Sequence, residues 1–193
     1  GFFLGGIGPD GHVAFNVSGA DFYSTTRLCP VNYETQAAAA SDLGGIEVAK
    51  KRRVVTIGLS TITYNRNAVA IILAAGEAKA RIVSESIQRS KDIRYPATAL
   101  QSLKHSCFYL TGGAAKHLEH RQIAALEAEQ SLDEERIQQI VVDVALAHGK
   151  EISTLTESDF KDHPFGALLL KKSKRTVADL TGTTHHALHE KIQ

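Results

Sequence analysis

The sequence contains no methionine and only two cysteines among its 193 residues. Cys29 and Cys107 are far apart, and each lies in an apolar run that reads as a strand. Because this arrangement is typical of reduced thiols, we expect both cysteines in the core of a cytoplasmic protein rather than in a disulfide framework. The missing methionine, together with an apolar strand that begins at Gly1, leads us to expect part of a longer protein.

The sequence also lacks long apolar runs and a strong charge of either sign. Its longest apolar run, Ala68 to Ala75, is far too short to cross a bilayer, and no signal-peptide pattern is visible. The formal net charge is +1 and 22% of the residues are charged, which argues against a nucleic-acid-binding protein and against disorder. We therefore expect a globular protein without nucleic-acid or membrane partners.

What is present is an alternation of apolar strands with helical segments. The predicted strands are Phe2–Leu4, Thr25–Val31, Val54–Leu59, Ala68–Ala75 and Cys107–Leu110; the predicted helices are Thr35–Ser41, Glu77–Gln88 and Ala97–Leu103. Continuous apolar strands that alternate with helices favour an α/β fold with a mainly parallel sheet covered on both faces. Ligands of such sheets bind at the carboxyl ends of the strands.

After Ala114 the sequence is almost entirely helical. Ser131 and Glu134 read as a capping box before a helical apolar stripe, which ends near Gly149. A second helical stretch, Thr156 to Lys172, is interrupted at Pro164. We assign residues 1–127 to the α/β domain and residues 128–193 to a helical extension that docks on the core or on another subunit.

Two histidines in this extension could offer ligands to a metal ion. His185 and His189 are four residues apart, a spacing that places two imidazoles on one face of a helix. No glutamate follows in the zinc-protease pattern, so a solvated terminal helix is the favoured interpretation and no metal is predicted.

The most informative stretch is the glycine-rich segment Gly5–Asn16, which follows the first apolar strand. Its glycines allow positive φ angles and a close approach of backbone N–H groups to a ligand. One carboxylate, Asp10, and one imidazole, His12, lie two positions apart inside this segment. A neighbouring carboxylate can fix the tautomer of a histidine and raise its basicity. The segment therefore predicts a sugar- or phosphate-facing loop with an acid/base histidine; the alternative is an ordinary turn with a surface histidine.

The string Leu4-Gly-Gly-Ile-Gly-Pro-Asp-Gly-His-Val-Ala-Phe-Asn16 resembles the signature of the glucosamine-6-phosphate deaminase/isomerase family. The related 6-phosphogluconolactonases share the Gly-x-Gly-x-Asp-Gly-His core but usually continue with Thr-Ala-Ser, whereas this chain follows the deaminase pattern. The resemblance runs from Gly1 to about Leu118. It implies a Rossmann-like three-layer α/β domain that converts glucosamine 6-phosphate to fructose 6-phosphate and ammonia, without a cofactor or metal.

The resemblance also implies roles for individual residues. His12, oriented by Asp10, would move the proton at the ring oxygen during ring opening, and Gly8, Gly11 and Asn16 would contact the substrate. Lys79 matches a lysine that contacts the substrate phosphate. Its place after a buried strand, near the start of a helix, is by itself typical of an anion site. Arg27 matches, less closely, an arginine at a regulatory phosphate site between the subunits of a homo-oligomer.

Three departures from the family pattern leave other functions open. Many members have a glutamate at the position of Val17, and a substrate-phosphate arginine is replaced near Ser41. The proton-shuttling carboxylate and the hydroxyl-rich phosphate loop normally lie in an earlier half of the sheet, which this sequence lacks. The alternatives are a 6-phosphogluconolactonase-like hydrolase, in which His12 would activate water, and a non-catalytic sugar-phosphate-binding domain.

Overall fold

The computed structural model describes residues 1–30, 33–38, 40–42, 44–51 and 53–192, which form two compact units. The first unit is Gly1–Glu119 and the second is His120–Gln193. This division comes earlier than the predicted boundary after residue 127, because Leu126 packs in the hydrophobic core of the second unit.

The first unit contains short strands and helices. In chain order these are β1 (Phe2–Gly6), β2 (Arg27–Pro30), α1 (Tyr33–Ala38), α2 (Ile46–Ala49), β3 (Arg53–Thr56), α3 (Leu59–Thr63), β4 (Val69–Ala74), α4 (Ala80–Gln88) and β5 (His105–Leu110). Two 3-10 helices, Glu77–Lys79 and Pro96–Ser102, precede α4 and β5. Val31, Arg52 and part of the predicted helix Thr35–Ser41 lie outside the described residues.

The main sheet is parallel, with the strand order β1-β4-β5. The strands are in register: Phe2, Val69 and His105 lie side by side at the edge of the sheet where the strands begin. An α/β fold with a parallel sheet is therefore confirmed. The same register places the ends of β1, β4 and β5 at one edge, where ligands of parallel sheets bind.

The predicted strand Val54–Leu59 does not join this sheet. It forms β3, which pairs antiparallel with β2 in a separate two-stranded ribbon. Val55 is exposed on this ribbon, whereas Thr56 and Leu59 are buried. A run of β-branched residues indicates a strand, but it does not determine which strand it pairs with.

The two faces of the parallel sheet differ in their burial. Ala70 and Ile72 face a core that contains side chains from α4 and from Pro96–Ser102. The alternate residues on the other face are exposed, among them Phe2, Leu4, Leu73, Cys107 and Tyr109. The expectation that both faces are covered is therefore wrong, and so is the core position of Cys107. Cys29 is buried, as predicted.

The second unit is a set of helices around its own core. The helices are α5 (Glu119–Ala128), α6 (Glu134–His148), α7 (Glu157–Asp162), α8 (Pro164–Ser173) and α9 (Val177–Ile192). The predicted stripe of α6 is buried in this core with Phe160, Leu169 and Leu180. None of the helices in the described ranges is long and apolar enough to cross a membrane.

The helix ends of this unit follow their local sequences with one exception. Gly149 adopts φ 60° and caps α6, as predicted. Asp133 starts α6 by accepting a hydrogen bond from the Arg136 N–H, so the predicted capping box at Ser131 is wrong. A reciprocal capping box instead starts α7, where Thr156 and Asp159 bind each other's backbone N–H groups. Pro164 separates α7 from α8, which matches the predicted interruption.

Candidate active site

The glycine-rich segment forms a closed loop directly after β1. The Gly8 N–H donates to the His12 carbonyl over 2.9 Å, and the Gly11 N–H donates to the Gly8 carbonyl over 3.0 Å. Gly11 has φ 79°, a conformation that side chains rarely adopt. A Cβ at Gly8 would lie 1.9 Å from Cε1 of His12, so only glycine lets the imidazole rest on the backbone. Both glycines are therefore required for the shape of the loop.

Asp10 and His12 form a short hydrogen bond within this loop. Oδ1 of Asp10 accepts from Nδ1 of His12 over 2.6 Å, and Oδ2 accepts from the Ser18 N–H over 3.0 Å. Burial opposes ionisation of the carboxyl, but the hydrogen bonds from His12 and Ser18 outweigh it and hold the pKa of Asp10 well below its ordinary value. An ionised Asp10 keeps the proton on Nδ1, so Nε2 carries the lone pair that can accept a proton.

Lys79 reaches the same loop from the 3-10 helix after β4. Its Nζ donates to the carbonyl of Ile7 over 2.9 Å. Partial burial lowers the pKa of Lys79, and the negative charge of Asp10 opposes that shift. The structure therefore brings the predicted phosphate lysine to the loop that carries the predicted catalytic pair.

Asn16 is fully buried, and its side chain binds protein groups on three sides. Its Nδ2 donates to the carbonyls of Val13 (2.9 Å) and Ile57 (2.8 Å), and its Oδ1 accepts from Nη1 of Arg27 over 2.8 Å. These bonds tie the end of the loop to β2 and to the residue after β3. Asn16 and Arg27 thus hold the loop in place, and their predicted contacts with a substrate and with a regulatory phosphate stay predictions.

An open cleft of about 390 Å³ lies beside Asp10. Its lining includes Asp10, Ser18, Arg81, Arg94 and Tyr95. His12 and Lys79 meet Asp10 at the loop itself, His12 through its hydrogen bond to Asp10 and Lys79 through the Ile7 carbonyl. Sequence reasoning missed Ser18 because it acts through its backbone N–H, which leaves no mark on side-chain patterns. Arg81 and Arg94 were missed as well, because nothing in their local sequence separates them from other surface cations of helices and turns.

The arrangement suits proton transfer. A histidine that is held by an ionised carboxylate at the end of a parallel strand is equipped as a general base and acid. Across the described ranges, no group of three or more His, Cys, Asp or Glu side chains could hold a metal ion. The rings of His185 and His189 lie near each other in α9, with centroids 6.4 Å apart and planes tilted by 52°.

No protein-family profile matches the chain, but individual proteins do. It is 35% identical over 104 residues to the glucosamine-6-phosphate deaminase of Porphyromonas gingivalis, covering 54% of this chain and 39% of the relative. It is 34% identical over 114 residues to that of Mycolicibacterium smegmatis (59% and 43%) and 36% identical over 116 residues to that of Rhodopirellula baltica (60% and 45%). The chain thus spans less than half the length of these curated relatives.

A solved structure is also similar. It is described as a monomeric glucosamine-6-phosphate deaminase and a missing link of the NagB superfamily. It superposes with a TM-score of 0.54 at 28% identity, covering 60% of this chain and 47% of the other. The matched lengths of 104 to 116 residues are close to the length of the α/β unit.

Proposed function

The chain is related over more than half of its length to the glucosamine-6-phosphate deaminase family, and on this premise we propose that the protein acts on glucosamine 6-phosphate. The proposed reaction opens the sugar ring, isomerises the aldose to the ketose and hydrolyses the carbon–nitrogen bond, so that glucosamine 6-phosphate and water give fructose 6-phosphate and ammonia. The 2.6 Å hydrogen bond between Asp10 and His12 is the observation that carries the proposal.

His12 performs the ring-opening step in this proposal. Its Nε2 takes the proton of the anomeric hydroxyl and returns a proton to the ring oxygen, while the bond between C1 and the ring oxygen breaks and a carbonyl forms at C1. Asp10 keeps Nδ1 protonated and stabilises the imidazolium that exists between the two transfers. General acid–base catalysis of this kind is worth about 10²- to 10⁴-fold in rate.

Lys79 binds the substrate phosphate in the same proposal. An ammonium group has three N–H donors, and the Ile7 carbonyl takes one of them. The two remaining donors are available to phosphate oxygens. The bond to Ile7 fixes the position of the charge relative to the loop that holds His12.

The cellular setting of the proposal is a cytoplasmic homo-oligomer, in which Arg27 binds a regulatory phosphate between subunits. Nη1 of Arg27 already contacts Asn16, so an anion bound there would act on the catalytic loop through one side chain. Sedimentation at several protein concentrations tests the assembly. A monomer at all concentrations, as in the solved relative, would contradict this part of the proposal.

The identity of the reaction is tested by its products. In the full-length protein we expect ammonia and fructose 6-phosphate in equal amounts from glucosamine 6-phosphate, and their loss in His12→Gln. His105→Gln is the matched control, because this histidine is exposed at the start of β5, at the opposite edge of the sheet. Release of gluconate from the lactone without ammonia would instead identify a lactone hydrolase. Binding of the sugar phosphate without any turnover would identify a sensor.

Val17 offers a gain-of-function test of the role of His12. Valine cannot orient or charge an imidazole, and apolar surroundings disfavour the imidazolium. In the full-length protein we expect Val17→Glu to raise kcat/KM for glucosamine 6-phosphate across neutral pH, since a second carboxylate would share the task of Asp10. The isosteric Val17→Thr is the control and should leave the rate unchanged. No change in Val17→Glu, together with an Asp10→Asn variant of unchanged activity, would indicate that His12 is not the ring-opening residue.

A further inference from the structure

A second cleft in the α/β unit lies away from Asp10 and His12. It has a volume of about 360 Å³, and its lining includes Tyr23, Tyr64, Arg66, Lys91 and Ser102. Arg66 comes shortly before β4 and Ser102 shortly before β5, so the cleft lies at the edge where these strands begin. Asp10 and His12 follow the end of β1 at the other edge. A strand of this length spans roughly 15–20 Å, which separates the two clefts.

The two tyrosines are unusually exposed. Tyr23 shows 85% and Tyr64 shows 89% of its maximal surface to solvent, although both line the same cleft. Tyrosine rings pack against the flat or apolar faces of ring compounds, and stacking of a nucleic-acid base on an aromatic side chain is worth about 1–3 kcal/mol. Two exposed aromatic rings in the lining of one cleft therefore favour a ligand that itself contains a ring.

The charge of the cleft is positive. Arg66 and Lys91 line it, and none of the residues in its lining, all of them in the described part of the chain, is acidic. Nζ of Lys91 is held close to the hydroxyl of Ser102, which fixes its position. The Arg66 guanidinium has no ion-pair or hydrogen-bond partner within the described ranges. Two cations beside hydroxyl donors are suited to a phosphate group, which takes bidentate bonds from arginine.

We infer that this cleft is a second ligand site, which binds a phosphomonoester joined to a ring. The phosphate binds to Arg66 and Lys91, and the ring stacks on Tyr23 or Tyr64. The volume of the cleft falls in the range of small-molecule sites in proteins. This inference does not depend on the proposed function, because none of its residues belongs to the catalytic loop.

Tyrosine-selective NMR of the 193-residue chain tests the inference directly. The chain has five tyrosines, so ¹³C labelling of their rings gives five signals that can be followed individually. Adenosine 5′-monophosphate and glucose 6-phosphate are the probes, with adenosine and inorganic phosphate as the halves of the ligand. We expect both probes to shift the signals of Tyr23 and Tyr64 and leave that of Tyr33 unchanged. Binding should weaken as salt is raised.

Variants assign the two halves of the site. Arg66→Gln and Tyr64→Ala should each weaken binding of adenosine 5′-monophosphate by at least about fivefold, the lower end of what a stacking contact is worth. Arg121→Gln and Tyr33→Ala are matched controls, because both residues are exposed and lie outside the cleft. Asp10→Asn should have no effect on this binding.

The probes also separate the possible ligand sources. Binding of the nucleotide alone identifies a base-stacking site, and binding of the sugar phosphate alone identifies a sugar-stacking site; either supports the inference. Inorganic phosphate that binds as tightly as both probes would overturn it, since the tyrosines would then contribute nothing. Shifts confined to the Asp10–His12 loop, or affinities unchanged by Arg66→Gln and Tyr64→Ala, would also overturn it.

Discussion

The two units of the chain bury their apolar side chains in different ways. The helical unit surrounds its core, in which Val144, Phe160, Leu169 and Leu180 are completely buried. The α/β unit has a sheet with one packed face, whereas Leu73 is 53% exposed and Tyr109 is 61% exposed on the other. Parallel sheets are normally covered on both faces. The difference indicates that the helical unit satisfies its own packing and that the sheet has surface left for another layer.

The same difference bears on the candidate site. A loop at the end of β1 is positioned by one packed face of the sheet and by the hydrogen bonds of Asn16. Within the loop, Oδ1 of Asp10 accepts from His12 and Oδ2 accepts from the Ser18 N–H. The outer edge of β1, in contrast, has no paired strand among the described residues. An unpaired edge of this kind is a place for a further strand or a partner chain.

Neighbouring residues of β4 give the sharpest test of the two faces. Ile72→Ala removes a fully buried side chain, so we expect the free energy of unfolding to fall by about 2–5 kcal/mol. Leu73→Ala, on the exposed face, should change it by no more than about 0.5 kcal/mol. Amide hydrogen exchange of β4 in the whole chain measures both changes in the free energy of unfolding, because it reports on the α/β unit separately from the helical unit. Equal losses would mean that the outer face is packed in solution.

Each unit has a glycine at a position where a Cβ would be too close to other atoms, Gly8 in the α/β unit and Gly166 in the helical unit. A Cβ at Gly166 would lie 2.6 Å from the Phe160 carbonyl oxygen, which belongs to the backbone and cannot move away. We expect Gly166→Ala to destabilise the helical unit by about 1–3 kcal/mol. Gly8→Ala meets the His12 ring instead, so the ring swings off Asp10 and stability changes less. Thermal unfolding and the His12 ring signals measure the two effects.

The control for this pair is Gly182→Ala in α9, where a Cβ meets nothing within 4 Å. Alanine has the higher helix propensity, so we expect a gain of about 0.5–1 kcal/mol. A loss in Gly182→Ala, or a Gly8→Ala variant with the hydrogen bond to Asp10 intact, would contradict the packing described for these positions.

The pKa values of two aspartates in the helical unit, Asp159 and Asp143, are shifted in opposite directions. Hydrogen bonds from Lys150 and Thr156 lower the pKa of Asp159, so its contribution is present above the ordinary value of 3.8 and is lost as the pH falls below it. Burial raises the pKa of Asp143, which has the opposite sign: its protonated form is favoured in the folded state. Asp159→Asn should therefore lower the melting temperature at pH 7 and Asp143→Asn should not. Equal decreases would contradict these assignments.

The helices and strands could largely be predicted from local patterns, whereas their pairing could not. The stripe from Ile137 to Ala145 gives α6 its buried face, and Gly149 ends it because glycine adopts the left-handed conformation without strain. The start of α6 was misplaced because Ser131 and Asp133 are both good caps, and only the three-dimensional path selects one. The pairing of β3 with β2 depends on contacts distant in the sequence, which apolar runs do not encode.

The part of the candidate site whose functional side chains are close in the sequence could be predicted. Asp10 and His12 are two residues apart, and a tight glycine loop brings them together almost without regard to the rest of the fold. Lys79 is distant in the sequence; its place after a buried strand indicated an anion site, whereas its hydrogen bond to the Ile7 carbonyl was not predicted. The burial of Asn16 was not predicted, because its partners Val13, Arg27 and Ile57 come from three separate segments.

The most direct measurement is the rate at which the 193-residue chain interconverts the α and β anomers of glucosamine 6-phosphate. Magnetisation exchange between the two anomeric signals reports ring opening alone, before isomerisation or deamination. We predict that the chain accelerates this exchange and that Asp10→Asn and His12→Gln reduce the acceleration at least tenfold, in line with the roughly 10²- to 10⁴-fold contribution of a general acid–base group. His105→Gln should match the unchanged chain. Exchange that is equally fast in Asp10→Asn and in the unchanged chain would contradict the assignment of His12, held by Asp10, as the ring-opening residue.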